Sequence, residues 1–228
     1  MKPQLFILAA LCLMACGANA QTEKGKSFIN GSIGFTSNKN NQIVSTSPTF
    51  STEQKAEAFN IMPRFGYFVA DNLTIGLGAG YVHSKSTVNT VNTASSAIIL
   101  ATQTGKQHVF SIEPFVRKYV DVADKFKFFG EFNLGVGFGK AINRSVYSAP
   151  INSSSEDNYK LTSYGAALSP GFAFFPSKKW AIEFSFPLAS YRKTKPKDVS
   201  NGLSIPTTET FSFATDSFNP SIGFNFHF

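Results

Sequence analysis

From residue 26 onward the chain alternates large apolar side chains with small or polar ones, in runs of about strand length. The last run is the plainest. Phe218, Pro220, Ile222, Phe224, Phe226 and Phe228 share one parity, and Asn219, Ser221, Gly223, Asn225 and His227 share the other. Successive strand side chains point to opposite faces, so this pattern predicts a strand with one wholly apolar face. Seven earlier stretches repeat it: residues 26–36, 55–69, 73–82, 106–119, 126–139, 159–175 and 180–191. Their apolar faces carry, for example, Phe59, Ile61, Pro63, Phe65 and Tyr67 in the second, and Trp180, Ile182, Phe184, Phe186 and Leu188 in the seventh, where Ala189 falls on the opposite face. Residues 37–54, 83–105, 140–158 and 192–216 are rich in Ser, Thr and Asn without clear periodicity and read as loops, although residues 209–214 could extend the last strand. Residues 70–72, 120–125 and 176–179 read as tight turns.

Eight strands joined by connections that are alternately long and short predict an all-β fold, an eight-stranded antiparallel up-and-down transmembrane β-barrel with four outer loops. A β-sandwich has no reason to alternate its connections in this way. The polarity of the two faces points the same way. A soluble barrel keeps its apolar face inside. Here the second face is mostly Gly, Ser and Asn, which suits the narrow interior of eight strands and leaves the Phe-rich face for lipid. Arg64, Glu113, Arg117, Glu131 and Glu183 have inward parity, where charge is expected in a membrane strand. They predict a lumen charge network that plugs the barrel, with a gated ion path as the other reading. Tyr67, Phe68, Trp180 and Phe228 are expected in an aromatic girdle at one membrane boundary, and Tyr81 and Tyr191 at the other. Pro63, Pro114, Pro170 and Pro220 fall at equivalent outward positions on the even-numbered strands, where bulges would accommodate them.

Composition places the chain outside the cytoplasm. Residues 1–20 read as a cleaved signal peptide: Lys2, an apolar run from Leu5 to Ala15, and Ala18-Asn19-Ala20 before Gln21. The barrel domain is then 21–228. A lipoprotein signal with Cys16 as acceptor fits less well, because Met14 suits that motif poorly. Both cysteines, Cys12 and Cys16, lie in this leader, so the mature chain has no disulfide. The formal charge is +7, and removal of Lys2 with the leader leaves +6. A basic exported chain suits anionic lipid or polysaccharide better than nucleic acid. There are 25 Phe residues while mean hydropathy is only −0.04, so apolar content is dispersed in alternating segments.

Catalytic chemistry is sparse. His83 and His108 fall near the outer rim, but their numbers differ in parity, and the nearby serines look like loop serines. No metal-ligand cluster, phosphate loop or nucleotide motif appears, so neither a cofactor nor an enzyme is expected. The run Arg192, Lys193, Lys195 and Lys197 opens the last predicted loop and reads first as a solvated charge run, with contact to lipopolysaccharide phosphates as the other reading.

The stretches from Phe59 to Asn72 and Leu73 to Gly78, the segment Pro114-Phe115-Val116-Arg117-Lys118-Tyr119, and the terminal Phe together resemble the small eight-stranded outer-membrane β-barrel superfamily (OmpA transmembrane-domain-like, OmpX-like, porin family). The resemblance covers residues 26–228. It implies a cell outer membrane protein of a Gram-negative bacterium, surrounded by outer-membrane lipid and lipopolysaccharide and monomeric. It also implies that Phe224, Phe226 and Phe228 form a C-terminal signal read by the β-barrel assembly machinery. The expected role is structural or surface-interacting, with a narrow channel second and an outer-leaflet lipid-modifying enzyme third.

Overall fold

The computed structural model describes residues 22–46, 49–92, 98–148, 152–199, 205–213 and 221–228; the leader assigned to residues 1–20 lies outside them. The described residues form ten strands: β1 (Ser27–Thr46), β2 (Thr49–Ala70), β3 (Leu73–Asn92), β4 (Ile98–Ala123), β5 (Phe126–Tyr147), β6 (Ser153–Phe174), β7 (Trp180–Ser185), β8 (Ala189–Asp198), β9 (Thr208–Phe213) and β10 (Ser221–His227). β1 to β6 pair each with the next, antiparallel. β6 then pairs with β7, β7 with β10, and β10 with β1 through Phe28↔His227, Ile29↔Phe226 and Asn30↔Asn225, closing the wall. Higher up, β6 pairs with β8, and β8 with β9.

The wall therefore has eight staves, but the strand count over the described residues is ten rather than the expected eight: the seventh stave is divided into β7 and β8, and the eighth is represented by β9 and β10 on either side of residues 214–220, which lie outside the described residues. The seventh breaks at Pro187, which has no N–H to donate. The chain stays against β6 there: Phe186 N donates to Pro170 O at 3.2 Å and Leu188 N to Leu168 O at 2.9 Å. Gly171↔Ser185 below the break and Leu168↔Ala189 above it differ by one residue, the mark of a bulge. The bulge inverts the parity, so Ala189 shares the outward side of Leu168, against the expected inward placement.

The four predicted loops are a second correction. Residues 37–46 and 49–54 lie in β1 and β2, and much of 83–105, 140–158 and 192–216 is strand as well. Ladders run up to Thr46↔Thr49, Asn92↔Ile98 and Tyr147↔Ser153. Above the membrane both faces meet water, so apolar alternation is no longer required, and Thr-rich segments hold a sheet by backbone pairing alone. A transmembrane strand needs about 9–11 residues. β2 to β6 have 20 to 26, so the wall rises well beyond a bilayer.

The staves are steeply staggered. The row of opposite residues from Phe28 near the start of β1 runs Gly66, Gly76, Phe115, Asn133, Ala167 and reaches Ser190, far beyond Trp180 where its stave begins. This climb is the shear that strands tilted by roughly 35–45° require in a barrel. The prolines keep the register: the β2–β3 ladder skips Met62 and Pro63, and the β4–β5 ladder skips Glu113 and Pro114, with unchanged pairing on either side. The bulges expected at those two positions are replaced by missing rungs. Pro220 lies outside the described residues.

The expected faces are present. Ile33 is 74% exposed, Phe35 69% and Phe110 64%, all outward. Inside, however, a cluster of large rings is buried: Phe28, Phe68, Phe115, Tyr119, Phe129 and Phe175. Phe68 belongs to this interior cluster and not to the girdle, whereas Tyr67, Trp180 and Phe228 are exposed on the outer face.

Candidate functional site

The lumen is closed near the end that carries the tight turns. Tight packing there depends on glycines that face rings. A Cβ on Gly66 would sit 2.4 Å from the Phe28 ring, one on Gly76 2.2 Å from Phe115, and one on Gly171 2.5 Å from Phe129. Phe28 lies 6.0 Å from Phe68, Phe68 5.8 Å from Tyr119, and Tyr119 5.7 Å from Phe129, between ring centres. His227 joins them, 5.4 Å from Phe28 and 5.5 Å from Phe175.

A charged layer sits on these rings. Arg117 and Glu131 are directly opposite across β4 and β5. Arg117 Nε donates to Glu131 Oε2 at 2.8 Å, and Arg64 Nη2, reaching from β2, donates to Glu131 Oε1 at 2.7 Å. Arg117 Nη1 also donates to Glu183 on β7 and to Tyr119 OH at 2.9 Å. Glu183 Oε1 accepts further from Tyr119 OH at 3.2 Å and from Asn225 Nδ2 at 2.5 Å. The guanidinium groups lie over aromatic faces, Arg64 4.1 Å from Phe115 and Arg117 4.3 Å from Phe129. Two cations and two carboxylates make the cluster neutral, and both carboxylates have more than one donor. A buried ion pair is stable only under such conditions.

Four of the five expected network residues are thus brought together. Glu113 is not among them. It lies higher in the lumen, where Ser111 Oγ donates to it at 3.2 Å, in a cavity of about 200 Å³ also lined by Met62, Gly137, Ser163 and Arg192. Below the rings, a polar clasp joins the turns. Lys127 Nζ donates to Asp121 and, at 3.0 Å, to Asn72 Oδ1, which also accepts from Thr22 Oγ1 at 2.5 Å. The Lys127 ammonium holds the Asp121 carboxyl below its usual range.

The other expected residues lie outside the lumen or apart. Phe224 and Phe226 face outward, with Phe226 5.1 Å from Trp180. Phe228 N donates to Ser27 O and Ser27 N to Phe228 O, each at 2.9 Å, so the last residue is tied to the first strand. The basic run is in β8, not in a loop. Arg192 lines the lumen cavity, while Lys193 pairs with Glu209 on the outer face. Lys195 lies 5.5 Å from the Tyr164 ring, and Lys197 is opposite Lys160.

His83 and His108 are directly opposite on β3 and β4, stacked at 4.5 Å, with 3.2 Å between their Nδ1 atoms. They share the outward face of Tyr81 and Phe110, so comparing their numbers misjudged their faces: in antiparallel pairing, opposite residues can differ in parity. Neither faces the lumen. Among the described residues no group of three or more His, Cys, Asp or Glu gathers as a metal site.

The aromatic plug was missed in the sequence, although a signal exists. Tyr67-Phe68, Phe128-Phe129 and Phe174-Phe175 are adjacent aromatics, and on a strand only one of two neighbours can face lipid.

The family described as "Outer membrane protein beta-barrel domain" matches residues 6–226. No curated protein matches the chain. Among solved structures, the chain is similar to the outer membrane protein OprG from Pseudomonas aeruginosa, with 15% identity over 91% of this chain and 98% of that one and a TM-score of 0.40. It is also similar to Ail, the attachment invasion locus protein of Yersinia pestis, with 17% identity over 90% and 99% of the two chains and a TM-score of 0.33.

Proposed function

We propose, for a chain that belongs to the outer membrane protein beta-barrel domain family, a structural and surface-interacting role that is neither conducting nor enzymatic. The protein is an outer-membrane β-barrel. Its tall strands carry a sheet-built rim outward, and this rim takes the place of the four loops as the surface offered to partners.

One observation carries the reading: the neutral Arg64–Glu131–Arg117–Glu183 cluster lies across the lumen on a bed of buried rings. An ion crossing here must separate at least one buried pair, and breaking such a pair costs about 3–5 kcal/mol. At about 1.4 kcal/mol per tenfold, the open state would be populated at roughly 1% or less.

Planar-bilayer recording of the purified, folded barrel tests this. A silent membrane is expected. Reproducible unitary currents would replace this reading with that of a narrow channel.

A further inference from the structure

The outward face above the apolar belt carries a band of lysines that pairing alone does not explain. Lys85 on β3 is directly opposite Lys106 on β4, and Lys140 on β5 is directly opposite Lys160 on β6. Like charges directly opposite on a sheet destabilise it. The two pairs are linked. The row through Lys106 meets Ile142, two residues above Lys140, and the row through Lys160 meets Lys197, two above Lys195. Because rows climb from β3 towards β8, each step down by two residues offsets the climb. Lys85, Lys106, Lys140, Lys160 and Lys195 therefore lie near one level over five staves, all exposed, with His108 just beneath.

Of the carboxylates around the band, Glu156 shares a cavity with Lys85 and Lys106, and two others are engaged elsewhere. Glu57, opposite Lys85, is bonded to Lys55 at 2.7 Å, and Glu209 is bonded to Lys193. Directly under Lys140 and Lys160 an open groove of about 470 Å³ runs down the wall, lined by Phe110, Phe138, Leu161, His108 and Thr162. An apolar groove capped by two ammonium groups, on the lipid side of the wall, matches an acyl chain below a phosphate.

We infer that this lysine band binds the phosphate groups of anionic lipid in the outer leaflet, with an acyl chain in the groove below Lys140 and Lys160. The inference rests on the outer-membrane wall described under Proposed function. It moves the expected lipid contact from a single basic run to a surface built by five staves, and it excludes Arg192, which lines the lumen.

Native mass spectrometry of the folded barrel in detergent, titrated with bis-phosphorylated lipid A, provides the test. The comparison ligands are dephosphorylated lipid A, phosphatidylcholine and inorganic phosphate. Wild type is expected to retain the phosphorylated lipid in preference to all three, and less so as salt is raised. The double variant Lys140→Gln/Lys160→Gln should retain it roughly thirtyfold less well, at about one surface lysine's worth of attraction each. Arg192→Gln should match wild type. Equal retention of the dephosphorylated lipid, unchanged retention by the double variant, or equal binding of free phosphate would each overturn the inference. Salt-insensitive retention would do the same for wild type, even if the variant failed to fold. Ion current through the barrel would sink the proposed function and leave these readouts untouched, so the two failures are distinguishable.

Discussion

Replacing Glu131 with Gln tests how the plug is held. Glu131 is only 4% exposed and accepts from two guanidinium groups, Arg64 at 2.7 Å and Arg117 at 2.8 Å. Gln keeps the shape but removes the charge and converts one acceptor into a donor, which then faces an arginine donor. The buried cluster changes from neutral to a net +1. Arg117 keeps Glu183, so the loss falls mainly on Arg64, whose side chain is 17% exposed. Removing one partner of a buried pair costs about 3–5 kcal/mol, and the partial exposure of Arg64 favours the lower end. Against a typical stability of about 5–15 kcal/mol, that is a large fraction. Adding Arg64→Gln restores neutrality, so the double variant should be more stable than the sum of the single effects implies, with a coupling of about 1–3 kcal/mol. Reversible urea unfolding in lipid vesicles measures this. The single Trp, Trp180, is half exposed on the lipid face and reports insertion. A Glu131→Gln cost below about 1 kcal/mol, or strictly additive variants, would refute the claim that the cluster is a buried, mutually dependent unit.

Two further changes probe the wall. Gly76→Leu would drive a side chain into the Phe115 ring and the Phe65 carbonyl, 2.2 and 2.4 Å from the new Cβ, so the heat-modifiable folded band should be lost on gels. Phe224→Arg places a cation on an outward position that is 62% exposed, and should cost up to about 2–4 kcal/mol in a vesicle unfolding titration, depending on its depth in the bilayer.

The transmembrane half of the fold was legible because lipid outside and a narrow lumen inside impose opposite demands on successive residues. Ile33 and Phe35 against Gly34, or Phe224 and Phe226 against Asn225, record that demand directly. Above the bilayer the demand lapses, so residues 37–46 gave no strand pattern although they continue the pairing with β2, with one register shift between Ile43 and Ser45. The division of the seventh stave at Pro187 was open to inspection, since a proline inside a strand marks a bulge or an edge, but the parity change beyond it was not followed. Inward parity picked out the charges but could not give their depth. Glu113 and Glu131 look alike in sequence, yet only Glu131 lies level with both arginines. The lysine band was invisible for a similar reason: its members are scattered from Lys85 to Lys195, and only the stagger of the staves lines them up.

The height of the wall also bears on how the exposed rim meets proteases. An extended peptide can bind by adding itself as a strand to another sheet, which requires unpaired backbone groups. In β2 to β6 those groups are already bonded to neighbours on both sides along most of their length. A protease working on the upper parts of β2 to β6 would first have to peel a stave away from two long ladders, whereas an irregular loop of the same length would offer its backbone freely. These five strands can therefore stand far above the bilayer without becoming a ready substrate for cleavage.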